Sequence, residues 1–235
     1  MPLRAVLFDA AGTLIRTRES VGAMYARAAR QHGAHAQADR LSGAFALAHA
    51  AAPPMLFAEA PASEVAGCEL NWWREVVRDT FRRADASPRN FDACFEALYD
   101  DFARPEAWVA EPEAHSTLKA LRARGLAIAV VSNFDHRLLH LLAGLGLAAL
   151  VDAVVIPSSA RAIKPDPAIF QAALALLGCT APQAVVVGDD PARDLAAGRA
   201  AGLRAIDVRE LATLADLPAR LDDPAISTRR PRSTP

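Results

Sequence analysis

The sequence has no apolar run approaching the roughly 20 residues that cross a bilayer, so no membrane-spanning helix is expected. It has no surplus of either charge. Twenty-six basic side chains face 27 acidic ones, which argues against the basic face of a nucleic-acid protein. Cysteine is scarce: Cys68, Cys94 and Cys179 are odd in number and widely spaced, with neither a zinc spacing nor a disulfide framework. Reduced thiols in a cytoplasmic protein follow. The start, Met1-Pro2-Leu3-Arg4, runs straight into a strand pattern and lacks the apolar stretch of a signal peptide. What is abundant is apolar: 52% of the 235 residues, enough to bury the core of one large domain or two modest ones.

Two textures alternate along the chain. Residues 4–8 form an apolar strand ending at Asp9. From Arg18 to about Phe102 apolar residues recur at helical spacing, as in Phe91, Cys94, Phe95, Leu98 and Phe102. Pro53-Pro54 and Pro61 break this stretch and Ser87-Pro88 opens another helix, giving about four helices in a small bundle. Thereafter helices and short apolar runs alternate. The runs are Ala127–Val131, Ala153–Ile156, Ala184–Val187 and Arg204–Val208, and continuous apolar runs of this length mark strands buried on both faces. The fold class is α/β, a Rossmann-like parallel sheet with an inserted α-helical domain. The sheet domain covers 1–16 and 108–221, the helical insertion 17–107, and 222–235 form a poorly ordered tail. An insertion that leaves beside the ligand-binding edge of such a sheet suggests a lid.

The strands end in polar residues of one chemical kind. Asp9 follows the first, Ser132-Asn133 the second, a loop carrying Lys164 the third, and Asp189-Asp190 with Asp194 the fourth. One hydroxyl, one ammonium and several carboxylates at one sheet edge suit transfer of an anionic group to a carboxylate nucleophile. Asp9 can attack, Lys164 can hold it and neutralise charge, and Ser132 can hydrogen-bond phosphoryl oxygens. So many carboxylates repel unless a cation lies among them, and Mg²⁺ is the hard ion that oxygen ligands favour.

Asp9-Ala10-Ala11-Gly12-Thr13-Leu14, Val131-Ser132-Asn133, Lys164-Pro165-Asp166-Pro167 and Gly188-Asp189-Asp190 through Asp194 together resemble, in this order, the four motifs of the haloacid dehalogenase-like hydrolase superfamily. Asn71-Trp72-Trp73-Arg74, Ser132-Asn133-Phe134-Asp135 and Ile169-Phe170 look like its haloacid dehalogenase-like hydrolase domain-containing protein 3 group. The resemblance implies an Asp9 nucleophile and a Mg²⁺ held by Asp9, the backbone carbonyl of Ala11 and Asp189. Asp194 and Asp190 would support the metal's water ligands. Ser132, Asn133, Lys164 and Thr13 would serve the phosphoryl group, Thr13 also ordering its loop by hydrogen bonding. The helical insertion would be the family's cap, and the substrate a small phosphate ester or acyl phosphate.

One residue departs from the pattern. Phosphatases of the family carry a second aspartate where this chain has Ala11, to protonate the leaving group and activate water. Three readings remain open: a phosphohydrolase that is slow or confined to good leaving groups, a metal-free 2-haloacid dehalogenase type, and a non-catalytic binder of a ligand or partner. Trp72, Trp73 and Arg74 could cradle a haloacid, although tryptophans at such positions more often fill a core. Tyr25, Arg18 and Trp72 are specificity candidates by position alone.

Overall fold

The computed structural model describes residues 2–222. In chain order the elements are β1 (Ala5–Phe8), β2 (Ile15–Thr17), α1 (Val21–Gln31), α2 (Ala38–Ala51), α3 (Val65–Arg83), α4 (Phe91–Ala103) and β3 (Trp108–Ala110). Then come α5 (Ala114–Ala123), β4 (Ala127–Val131), α6 (Arg137–Gly144), β5 (Ala153–Val155), α7 (Pro157–Ala160) and α8 (Ala168–Leu176). The last are β6 (Ala184–Gly188), a wide helical turn Pro191–Ala196 leading into α9 (Ala197–Ala200), β7 (Arg204–Asp207) and α10 (Leu217–Leu221). These residues divide into two compact units: 2–15, 110–133 and 146–222 in one, 16–109 and 134–145 in the other. Among the described residues no helix is long and apolar enough to cross a membrane.

The first unit is a five-stranded parallel sheet in the order β5-β4-β1-β6-β7 with helices around it. Apolar side chains on both faces of a strand demand cover on both sides, which is why β1 is buried throughout and lies at the centre. Leu7, Ala129, Val131 and Val186 pack with Ile169, Phe170 and Ala173 of α8.

The second unit is helical. Met24, Tyr25, Leu41, Val77, Phe81, Phe95 and Leu98 form its core, with the Tyr25 ring 5.6 Å from Phe81 and 5.7 Å from Phe45. Capping sets the helix starts. Ser20 accepts from the Ala23 amide, and Asn90 from the Ala93 amide, so α4 begins at Phe91 rather than at Pro88. Residues 134–145, with α6, group with these helices, whereas the sequence pattern ran 108–221 as one stretch. The expected tail, 222–235, lies outside the described residues except for Asp222. Cys68, Cys94 and Cys179 are free thiols, and burial pushes that of Cys94 up to about 11.

Candidate active site

Strand register delivers the polar residues to one edge. Phe8 is level with Val130 on one side and Val187 on the other, so Asp9 leaves the sheet beside Val131 and Gly188. Ser132 and Asp189 follow one residue later. The chain then turns tightly, because the Ala10 carbonyl accepts from the amides of Leu14 (2.8 Å) and Ile15 (3.0 Å). Gly12 has φ +90, and a Cβ there would lie 2.8 Å from Asp189 Oδ2. The turn thus needs glycine both for its backbone and for the space Asp189 takes.

Lys164, 4% exposed, is the hinge of the electrostatics. Its Nζ donates to Asp9 Oδ1 at 2.5 Å and to Asp194 Oδ1 at 2.6 Å. Asp194 Oδ2 accepts from the Asp190 amide at 3.0 Å, and a Cβ on Gly188 would overlap Asp194. Burial pushes Asp9 up to about 6; Lys164 pulls the other way, and Asp194 adds to the rise. Burial works against the Lys164 charge as well, yet the two carboxylates overcome it and hold the ammonium above the usual lysine range. Partial burial, then the Asp194 charge, pushes Asp189 up.

Asp9, Asp189 and Asp194 each present an oxygen within 4.8 Å of the others. Two like charges about 4 Å apart repel by roughly 4 kcal/mol at an effective dielectric near 20. One ammonium against three carboxylates leaves two negative charges, and the donors are all hard oxygens. The residues present therefore fit a divalent cation such as Mg²⁺. Thr13 adds a second sign of an absent ligand: it is 1% exposed and its Oγ1 has no hydrogen-bond partner among the described residues.

The Asn133 side chain is bonded to the Lys164 peptide. Its Oδ1 accepts from the Lys164 amide and its Nδ2 donates to the Lys164 carbonyl, both at 2.8 Å, so it positions Lys164. Asp190 Oδ1 caps the following helical turn through the Ala192 and Arg193 amides, each at 2.8 Å. Thr13 does not order its loop through the hydroxyl, since backbone bonds to Ala10 do that. Asp194 lies within 4.8 Å of Asp9 and Asp189, with one oxygen on Lys164 and the other on the Asp190 amide. Ser132 is buried at the end of β4, and its amide donates to the Val155 carbonyl at 3.0 Å. Ala11 is exposed in the turn and presents only a methyl group.

The tryptophans serve the helical unit. Trp73 Nε1 donates to Asp135 Oδ2 at 2.6 Å, Trp72 Nε1 to the Pro53 carbonyl at 2.8 Å, and the rings meet edge-on at 4.9 Å. Arg74 pairs with Asp92 and lies 4.5 Å over Phe95, which removes it from any haloacid cradle. Arg18 donates to the Glu106 carbonyl, and Tyr25 is closed inside the core.

Sequence reasoning missed a second buried charge cluster in the helical unit. Asp135, fully buried, accepts from Arg137 through Nε and Nη2 and from the Arg137 amide; the guanidinium lies 3.9 Å over the Tyr99 ring. Beside them Glu69, also buried, binds His136 Nδ1. The available signal was the pairing of Glu69 with Trp73 four residues on, one helix face aimed at one partner segment.

Comparison with known proteins shows the family and the fold. The family model of the haloacid dehalogenase-like hydrolases matches residues 3–202. The chain is 38% identical over 209 residues to haloacid dehalogenase-like hydrolase domain-containing protein 3 of Danio rerio, covering 87% of this chain and 84% of that one. It is 34% identical over 132 residues to a phosphoserine phosphatase of Thermus thermophilus, covering 56% and 52%. Its fold matches the L-2-haloacid dehalogenase RSc1362 with a TM-score of 0.72 at 21% identity, covering 95% and 100%. The chain belongs to the haloacid dehalogenase-like hydrolase family, within the group of the domain-containing protein 3 relatives.

Proposed function

We propose that this hydrolase is a Mg²⁺-dependent phosphohydrolase in which Asp9 attacks phosphorus and carries the phosphoryl group as an aspartyl phosphate. The observation that carries the reading is the charge balance at the sheet edge: three carboxylates, one ammonium shared between two of them, and a buried hydroxyl without a partner. A dehalogenation site that works without metal has no need of that surplus negative charge. The phosphatase names among the relatives point the same way.

Asp9, Asp189 and the backbone carbonyl of Ala11 would hold the cation, with Asp194 supporting its water ligands, and the cation would neutralise charge on the transferring phosphoryl group when bound. Lys164 keeps Asp9 ionised and oriented while screening it from Asp194. Asn133 fixes Lys164 by its backbone. Thr13 and Ser132 would donate to phosphoryl oxygens. The helical residues 17–107 would be the cap that selects a small phosphate ester or acyl phosphate.

Hydrolysis of an aryl phosphate tests this. The wild-type protein should release phosphate with Mg²⁺, lose that activity in EDTA, and lose it in Asp9→Asn. Unchanged activity in Asp9→Asn, or halide release from 2-chloropropionate in EDTA, would contradict the reading.

A further inference from the structure

We propose, resting on the hydrolase reading above, that Asp9 is a durable phosphoryl acceptor: it takes the group readily from acyl phosphates and gives it up to water slowly. Loading requires no proton. A carboxylate oxygen of Asp9 attacks phosphorus, the bond from phosphorus to the acyl oxygen breaks, and its electron pair leaves on a carboxylate that is stable at neutral pH. An alkyl phosphate would instead expel an alkoxide, which must collect a proton as it leaves.

Discharge differs. Water attacks the phosphorus, the bond to Asp9 breaks, Asp9 returns as a carboxylate, and the proton of the attacking water must go to a base. Every nearby group suited to that task is already committed. Lys164 and Asp194 are bonded to one another, and Asp189, the remaining carboxylate of the cluster, would hold the cation. The other Asp194 oxygen takes the Asp190 amide, and the Asp190 carboxylate caps the next helical turn. Ala11, two residues beyond Asp9, offers an exposed methyl group. The unpartnered Thr13 hydroxyl can donate to a phosphoryl oxygen and so hold the adduct, but it is no base at neutral pH. The site serves the first step and leaves the second unassisted.

The experiment incubates the full chain with Mg²⁺ and acetyl phosphate and reads the intact mass. The donor is then removed, and loss of the adduct and release of phosphate are followed. A phosphoryl adduct near one per chain is expected, absent in Asp9→Asn, with a burst of about one acetate per chain and only slow release of phosphate. Ala11→Asp should shorten the adduct's lifetime by about 10²–10⁴-fold, the usual reach of general acid–base help. Sustained phosphate release without adduct in the wild type would overturn durability and leave the hydrolase reading standing. An adduct that survives in Asp9→Asn, or a lifetime unmoved by Ala11→Asp, would overturn the inference. Neither adduct nor phosphate, in wild type and Ala11→Asp alike, would overturn both.

Discussion

The two units each bury a cluster of carboxylates, and the clusters are built to opposite ends. In the helical unit Asp135 accepts from Nε and Nη2 of Arg137, from the Arg137 amide and from Trp73, while Glu69 holds His136. The Asp135 charge is matched by the Arg137 guanidinium, and both Asp135 oxygens accept hydrogen bonds. In the sheet unit three carboxylates face one ammonium that bonds only two of them, and the buried Thr13 hydroxyl has no hydrogen-bond partner among the described residues. Acidic residues close together are thus not a site in themselves. The balance of charge and the spare bonding capacity separate a fastening from a place where something binds.

Substitutions can break or sharpen that contrast. The largest effect belongs to Asp9→Asn, which should take phosphoryl transfer down to background with the fold intact, read by aryl phosphate hydrolysis beside circular dichroism. Next is Arg137→Leu, which strands Asp135 in the helical core. Removing one partner of a buried pair costs about 3–5 kcal/mol, measurable by urea unfolding. If that loss is small, the helical cluster is not the closed structural device described above.

Asp189→Asn should act in the other direction. Asp189 is pushed above the usual carboxylate range by burial and by Asp194, so it binds protons more tightly folded than unfolded. Its ionisation therefore opposes folding, and stability falls as pH rises through that range. Removing the charge should give a small gain in stability in EDTA at neutral pH, seen by thermal melting. A clear loss would mean the sheet-edge carboxylates are not in excess.

The smallest effect calibrates an ordinary pair. Asp152 joins β5 to β4 by accepting from the Ile128 amide at 2.8 Å and from Arg122 at 2.7 Å. Burial works against its charge, but these two bonds outweigh it and hold the carboxyl below the usual range. Its contribution should be complete above about pH 4 and fade as pH falls through the lowered pKa. Asp152→Asn should cost about 1 kcal/mol or less, visible as a weaker acid limb of the stability profile.

Much of the sheet unit was legible in the sequence. β1, β4 and β6 are buried on both faces, so each is an unbroken apolar run, and the polar residue after each marks the sheet edge. The roles of polar neighbours were harder to read. Asn133 and Asp190 stand beside Ser132 and Asp189, and sequence order cannot show that one clamps a peptide while the other caps a turn. Asp190 before Pro191 did carry a cap signal, masked by the acidic run. The helical cluster was invisible because Glu69 and Trp73 lie more than 60 residues from Asp135, and only packing brings them together. The helix expected from about His136 to Ala143 was assigned to the sheet domain by its place in the strand–helix alternation, yet α6 packs on α4 and groups with the helical unit.

The contrast between the clusters is tested most directly by calorimetric titration with Mg²⁺ of the wild type, Asp189→Asn and Glu69→Gln. One binding site is predicted in the wild type, lost in Asp189→Asn and kept in Glu69→Gln. No binding in the wild type, or binding lost in Glu69→Gln and kept in Asp189→Asn, would contradict the assignment of the open charge to the sheet edge.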